Sequence, residues 1–187
     1  MSAANFIAKW RHTPLPERAA AQQHFLELCD LLDVPRPPTT GSATADYRFE
    51  APVIGTDDKP GFADAFKRNC FAWEYKKRRT SLVEARKQLL RYAGYLDNPP
   101  LLIACDHNII EITLNFTGFP AERVVIHLEE LIDPLVRART AQAWTNPITF
   151  RPTRSRAQLT EEVAERFSIL IERLKDDITL STMFPTL

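Results

Sequence analysis

The chain has 187 residues, a length that fits one domain with room for a small appendage. Its 24 basic and 24 acidic residues balance, so any affinity for nucleic acid has to come from local clustering of charge rather than from a global field. Hydrophobic residues make up 44%, as in ordinary soluble globular proteins, and no apolar run reaches the ~18 residues that a membrane helix needs.

The first third of the chain alternates periodic segments with turn-rich ones. Apolar residues three and four positions apart predict a helix, and clusters of Pro, Ser, Thr and Gly predict loops. In order, the segments are a helix over residues 15–32, a loop over 34–46, a short strand over 47–53 and a turn over 55–61.

Two aromatic-rich runs follow, residues 61–67 and 70–76, and the dipeptide Arg68-Asn69 between them is typical of a tight turn. The sequence therefore predicts a β-hairpin here.

The rest of the chain returns to longer periodic segments. A capped amphipathic pattern predicts a helix over residues 81–96, which ends at Asn98-Pro99-Pro100. After it we predict strands over 101–105 and 109–116 around the turn 106–108, a short strand over 124–126, a helix over 135–144, a basic connector over 151–156 and an amphipathic helix over 159–174. This order predicts an α/β or α+β core rather than a bundle or a sandwich.

The predicted hairpin carries the chemistry. Side chains alternate along a strand, so Cys70, Ala72, Glu74 and Lys76 are expected on one face, with Phe71, Trp73 and Tyr75 on the core face. Asp64 lies in the preceding run, separated from Glu74 by nine residues, and hairpin pairing would bring the two carboxylates close together.

Two close carboxylates repel each other unless a cation lies between them. Mg²⁺ fits, because it prefers a few carboxylate oxygens together with waters and phosphate oxygens, and Mn²⁺ is the expected substitute. The amine of Lys76 beside such an ion can orient or deprotonate a water. Asp64, Glu74 and Lys76 are therefore the predicted catalytic residues of a phosphodiester hydrolase.

The next predicted helix adds polar and basic groups. Gln88 and Tyr92 are four residues apart and share one helical face. The segment from Lys67 to Arg91 holds nine basic residues, which suits a phosphate backbone. They are Lys67, Arg68, Lys76, Lys77, Arg78, Arg79, Arg86, Lys87 and Arg91.

The pattern Asp64-x9-Glu74-Tyr75-Lys76 resembles the D-x(n)-E-x-K signature of the PD-(D/E)XK nucleases, and Gln88-x3-Tyr92 is similar to the Q-x3-Y element of their RecB-like branches. The segments FIAKWR, QQHFLELCDLL, GFADAFKRNCFAWEYK, QLLRYAGYLDNPPLL and ITLNFTG together resemble the N-terminal part of the MmeI-like restriction-modification enzymes, over roughly residues 5–175. The resemblance implies a restriction-endonuclease-like core, a mixed central sheet flanked by helices with a C-terminal helical extension.

The resemblance also implies roles for individual residues. Asp64 and Glu74 would be metal ligands, with the Tyr75 carbonyl as a further one and Glu17 as an extra acid near the metal. Lys76 would be the catalytic lysine, and Gln88, which supports the site from the helix, is the fourth predicted catalytic residue. The residues expected to contact DNA are Lys77, Arg78, Arg79, Lys87, Arg91 and Tyr92.

In the MmeI-like enzymes the nuclease domain is followed by a helical spacer, an adenine methyltransferase and a target-recognition domain. We therefore expect residues 1–155 to be the nuclease domain and residues 156–187 to be the start of the spacer, in a chain that is a fragment or a shortened product. Cutting both strands of double-stranded DNA requires a homodimer or sequential action. The alternatives are a non-cutting DNA-binding or assembly module, and a nuclease that is active only in the parent protein.

Other motifs have plainer interpretations. Asn98-Pro99-Pro100-Leu101 resembles a methyltransferase loop, but its fourth residue is not aromatic, so we interpret it as a helix stop. His24, His107 and His127 lack partners at metal-ligand spacing, and Asp106 is interpreted as a turn residue. The three widely spaced cysteines suit reduced thiols in a cytoplasmic protein.

Overall fold

A computed structural model describes residues 1–12, 17–41, 45–54, 60–76 and 82–183 of the chain. In this part, six strands form one mixed sheet in the order in which they occur along the sequence. They are β1 (Tyr47–Ile54), β2 (Pro60–Lys67), β3 (Phe71–Tyr75), β4 (Leu101–Cys105), β5 (Ile109–Leu114) and β6 (Arg123–His127). All neighbouring strands are antiparallel except β3 and β4, which run parallel.

Helices cover both faces of this sheet, and they largely follow the predicted segments. In chain order, the helices of the described residues are α1 (Ala3–His12), α2 (Glu17–Leu32), α3 (Leu82–Tyr92), α4 (Pro134–Thr145) and α5 (Arg156–Met183), with short 3-10 helices at Ala93–Leu96, Leu128–Ile132 and Pro147–Phe150. Of these, α1, α2 and α4 pack on one face of the sheet and α3 packs on the other. Because a parallel pair needs a crossover connection, α3 links β3 to β4. The predicted fold class, a mixed sheet flanked by helices with a C-terminal helical extension, is confirmed.

Helix α1 is not among the predicted elements, although its apolar residues have the spacing of an amphipathic helix. Phe6, Ile7 and Trp10 have helical spacing and are buried in the core. The other predicted helices and strands are confirmed, with boundaries shifted by a few residues and with α5 extending to Met183.

Two hydrophobic clusters fill the space on either side of the sheet. The larger one joins α1, α2 and α4 to one face, through side chains such as Trp10, Phe25 and Trp144. The smaller one packs Leu89 and the 3-10 helix Ala93–Leu96 on the other face. The sheet is therefore the middle layer of three.

The alternation predicted for β3 is confirmed within the strand. Phe71, Trp73 and Tyr75 belong to the larger cluster, whereas Ala72 belongs to the smaller one on the α3 face. The expectation for Cys70 is wrong, because Cys70 precedes the strand and packs in the larger cluster. Its thiol lies 3.4 Å from the carbonyl oxygen of Trp144.

The hairpin of β1 and β2 changes the face that it buries partway along its length. Phe49 and Ala65 are paired and pack with the larger cluster, whereas Ala51 and Ala63 are paired and pack with the smaller one. Between these two pairs the register brings Glu50 opposite Asp64. The backbone of Glu50 is left-handed, with φ 52°, which interrupts the regular alternation of the strand.

The chain divides into two compact units. Residues 1–116 and 121–151 form the first, and residues 117–120 together with 152–187 form the second. The second unit contains α5, whose stripe Val163, Phe167, Leu170 and Leu174 is exposed. None of the helices in the described ranges is long and apolar enough to cross a membrane.

Candidate functional site

Glu74, Lys76 and Gln88 form a hydrogen-bonded group on the α3 face of the sheet. The Lys76 ammonium donates to Glu74 Oε1 at 2.8 Å and to Gln88 Oε1 at 3.2 Å. Strand alternation directs the first two side chains toward α3, and α3 supplies the third residue. The structure thus brings together three of the four residues predicted to be catalytic.

Asp64, the fourth, lies where β2 separates from β3. The last backbone pair between these strands is Ala65 with Trp73, and beyond it Asp64 Oδ2 accepts a hydrogen bond of 2.7 Å from the backbone N–H of Tyr75. A side chain therefore takes the place of the next main-chain contact. Asp64 is therefore hydrogen-bonded to the backbone of Tyr75, the residue between Glu74 and Lys76.

The carboxyl group of Glu74 has an unusual electrostatic environment. The side chain is only 6% exposed. Burial raises the pKa of Glu74, and the negative charge of Asp64 raises it further, to about 7, although Lys76 and Gln88 act in the opposite direction. Asp64 is thus near enough to Glu74 to raise its pKa, while the role of the two carboxylates as metal ligands stays a prediction.

The two carboxylates fit a hard divalent cation. Glu74 Oε2 is buried and has no hydrogen-bond partner among the residues that the structure describes. A metal ion is a partner that would satisfy such an oxygen and reduce its repulsion with Asp64. Within the described ranges, no group of three or more His, Cys, Asp or Glu side chains is arranged to hold a metal. Water, phosphate and backbone oxygens would complete the coordination of Mg²⁺.

Tyr75 is held on the opposite face of the sheet by a buried histidine. Its hydroxyl lies 2.8 Å from His24 Nδ1, and its ring contacts that of His107 at a centroid distance of 5.2 Å. Burial raises the pKa of the Tyr75 hydroxyl well above its ordinary value, so it stays neutral. The contact between His24 and Tyr75 is not among the sequence predictions. The sequence feature that indicates it is the position of His24, four residues before Leu28 on the apolar stripe of α2.

Glu50 is a second residue that the sequence analysis misses. It stands opposite Asp64 across the β1–β2 hairpin, and both residues line a narrow cavity of about 10 Å³, close to the room that one water needs. Gln22 of α2 also lines the cavity and donates to Glu50 Oε1 at 3.4 Å. A glutamate in a left-handed strand position is uncommon, but a sequence does not reveal φ.

Glu17, the predicted extra acid, is the first residue of α2, and its side chain lies outside the described residues. The described residues of α2 that line the cavity beside Asp64 are Ala21 and Gln22. The roles of Glu17 and of the Tyr75 carbonyl as metal ligands stay predictions.

The residues predicted to contact DNA fall into two groups. Lys77, Arg78 and Arg79 lie outside the described residues. On α3, Lys87 and Arg91 are exposed, and the Lys87 ammonium donates to Glu84 at 2.9 Å.

Tyr92 is partly buried against the smaller cluster and packs directly over Gly61 of β2. The contact with Gly61 gives Tyr92 a structural role between α3 and β2, and its contact with DNA stays a prediction.

Comparison with known proteins gives one match. No curated protein and no solved structure matches the chain. The family model described as MmeI, N-terminal domain, matches residues 1–177, nearly the whole sequence. The chain therefore belongs to the MmeI N-terminal domain family.

Proposed function

We propose that this chain is a Mg²⁺-dependent endonuclease module that hydrolyses phosphodiester bonds in double-stranded DNA. The observation that carries the proposal is the convergence of Lys76 with Glu74 and Gln88, with Asp64 bonded to the intervening residue. Membership in the MmeI family supports it, because that family associates the chain with restriction-modification proteins. DNA is the expected partner.

Asp64 and Glu74 would hold the metal, and their oxygens are the ligand type that Mg²⁺ prefers. When bound, Mg²⁺ polarises the scissile phosphate and lowers the pKa of a coordinated water. Lys76, fixed between Glu74 and Gln88, orients the attacking water and stabilises negative charge that develops on the phosphate. In-line attack on phosphorus then expels the 3′ oxygen.

The domain assignment belongs to the same proposal. Residues 1–155 would be the nuclease domain, and residues 156–187 would begin a helical spacer toward an adenine methyltransferase and a target-recognition domain. Both hydrophobic clusters draw on residues between Phe6 and Phe150, and α5 begins at Arg156, which supports a boundary near residue 155. Cleavage of both strands would need a homodimer or sequential cuts.

The test is cleavage of supercoiled plasmid DNA in Mg²⁺ by the wild type and by the isosteric variants Glu74→Gln and Lys76→Met. We expect each variant to lose about 100-fold or more of the cleavage rate, because each removes a group that acts on the reacting phosphate. The matched control is Lys9→Met, which breaks the Lys9–Glu27 ion pair between α1 and α2, and it should cleave at the wild-type rate. Equal cleavage by all four proteins would make the proposal wrong.

A further inference from the structure

Glu111 of β5 is a buried acidic residue that binds two arginines. Its side chain is 11% exposed. Arg86 of α3 donates from Nη1 to Oε1 at 2.6 Å, and Arg123 of β6 donates from Nη1 to Oε2 at 3.4 Å. Each carboxylate oxygen therefore holds one guanidinium.

This group lies on the same face of the sheet as Glu74. The register pairs Glu74 with Ala104 and Ala104 with Glu111, and directly paired residues project to the same side. Two strand spacings, roughly 10 Å, separate Glu74 from Glu111. The residue between them in the register is Ala104 of β4, which has only a small side chain.

Helix α3 connects the two groups. It supplies Gln88 to Lys76 and, two residues earlier, Arg86 to Glu111. The catalytic lysine and the two arginines thus form one polar row across β3, β4, β5 and β6.

The row is positively charged at the Glu111 end. Two guanidinium groups share one carboxylate, which leaves a net charge of one positive unit. The side chain of Arg86 is 22% exposed and that of Arg123 is 53% exposed, so both can be reached from solvent. Among the described residues, Glu111 is the hydrogen-bond partner of both arginines. A guanidinium has five N–H donors in a planar fork that matches phosphate oxygens.

Stability alone is a weak reason for burying this carboxylate. Taking charges out of water costs free energy, and well-packed apolar residues often stabilise a core as well as a buried ion pair does. Holding two arginines in fixed positions is a second use of Glu111, because a guanidinium that is already oriented loses less freedom when it binds.

We propose that Arg86 and Arg123, positioned by Glu111, bind backbone phosphates of the duplex whose scissile phosphate lies at Glu74 and Lys76. The identity of the ligand as DNA rests on the proposed function. With a rise of 3.4 Å per nucleotide along the helix axis, roughly 10 Å corresponds to about three nucleotides of one strand. The contact adds affinity and orientation without reading base sequence.

The test is the salt dependence of duplex binding, measured by fluorescence anisotropy in Ca²⁺ on a labelled 30-base-pair duplex. Each phosphate contact contributes about 0.9 to the slope of log affinity against log salt. We therefore expect Arg123→Gln to lower the slope by about 0.9. When salt rises from 50 to 200 mM, the factor by which the affinity falls should then be about 3.5 times smaller for this variant than for the wild type. Arg86→Gln should act in the same direction.

The matched control is Arg11→Gln. Arg11 is 48% exposed and pairs with Glu129. It belongs to α1, which packs against the opposite face of the sheet. It should keep the wild-type slope. Charge reversals at the two positions, Arg123→Glu and Arg11→Glu, repeat the comparison with a larger electrostatic change, and thermal unfolding of each variant shows whether the fold is retained.

The inference would be overturned if Arg123→Gln had the same slope as Arg11→Gln and Arg123→Glu the same slope as Arg11→Glu. The ion pairs of Glu111 would then have a structural role only. Absence of salt-dependent duplex binding by the wild type would overturn it too. If the slopes change as expected while Glu74→Gln and Lys76→Met still cleave plasmid at the wild-type rate, the proposed nuclease site fails and the phosphate contact stands.

Discussion

Glu74, which we propose as a metal ligand, lies in an environment that is unfavourable for a charged carboxylate. Its carboxyl group is buried beside Asp64, and both features favour the protonated form, which gives a pKa of about 7. Lys76 and Gln88 compensate only in part. The residue is therefore destabilising as a carboxylate in the metal-free protein, and a cation at Glu74 Oε2 would remove part of that penalty.

The pKa of Glu74 gives a prediction about stability and pH. Below the ordinary value of 4.5 the group is protonated in both the folded and the unfolded chain and contributes nothing. Between 4.5 and about 7 the folded chain binds the proton more tightly, so stability falls as pH rises, and the full penalty is present above about 7. Glu74→Gln should therefore be more stable than the wild type by about 1–3 kcal/mol at pH 8 in EDTA.

Urea unfolding at pH 4, 6 and 8 is the measurement. The difference between Glu74→Gln and the wild type should be smallest at pH 4 and should grow with pH. Adding Mg²⁺ at pH 8 should stabilise the wild type more than the variant, because the variant lacks the carboxylate that we propose as a metal ligand. A constant difference at all three pH values would contradict this explanation.

At the scale of secondary-structure elements, the geometry of the site depends on how β2 is held. At its C-terminal end β2 pairs with β3, and at Asp64 the two strands separate. Toward its N-terminal end, Gly61 lies directly beneath the ring of Tyr92. Helix α3 thus fixes β2 three residues before Asp64, and the absence of a side chain at Gly61 makes the contact feasible.

Gly61→Ala tests this contact. A Cβ at residue 61 would lie 2.7 Å from Tyr92 Cζ and would also overlap the hydroxyl, so the ring or the strand has to move. We expect a loss of stability of about 1–3 kcal/mol, as for other overpacked sites. Urea unfolding measures it, and the loss should largely disappear when the substitution is made in a Tyr92→Ala background.

Gly94→Ala is the matched control. Nothing lies within 4 Å of a Cβ at residue 94, and that residue is helical, so alanine should be neutral or slightly stabilising. Equal destabilisation at residues 61 and 94 would mean that the Tyr92 contact is not the cause.

At the scale of the whole molecule, the sheet separates the site from most of the core. The larger cluster, which includes Trp10, Trp73 and Trp144, fills the face opposite α3. Glu74, Lys76 and Gln88 therefore lie on the face with the smaller apolar cluster. Asp64 lines a cavity with Ala21 and Gln22 of α2. This division leaves the α3 face for polar groups such as Glu74 and Glu111 without interrupting the main core.

Removal of the residues after Arg151 should preserve the first unit. Every member of the two buried clusters lies between Phe6 and Phe150. A chain that ends at Arg151 should unfold cooperatively, with a midpoint within about 4 °C of the full chain, the shift expected for a change of about 1 kcal/mol at this size. Thermal unfolding followed by circular dichroism measures this, and loss of a cooperative transition would contradict it.

The sequence by itself determined most of the secondary-structure elements and the residue types at the candidate site. Hydrophobic spacing predicted α2, α3 and α5, and alternation predicted the faces of β3. The order of Asp64, Glu74 and Lys76 predicted a two-carboxylate site, because residue types and short spacings are local properties. Residues Phe6, Ile7 and Trp10 carried a usable helical signal for α1 as well.

The tertiary structure alone decided which distant residues meet. Arg86, Glu111 and Arg123 come from three elements, and only the strand register and the packing of α3 bring them together. Glu50, whose backbone is left-handed, and Asp64 line the same cavity because β1 and β2 pair on either side of them. Contacts of this kind depend on register and crossover, and a one-residue change of register would move each side chain to the other face, which the pattern of a single segment does not specify.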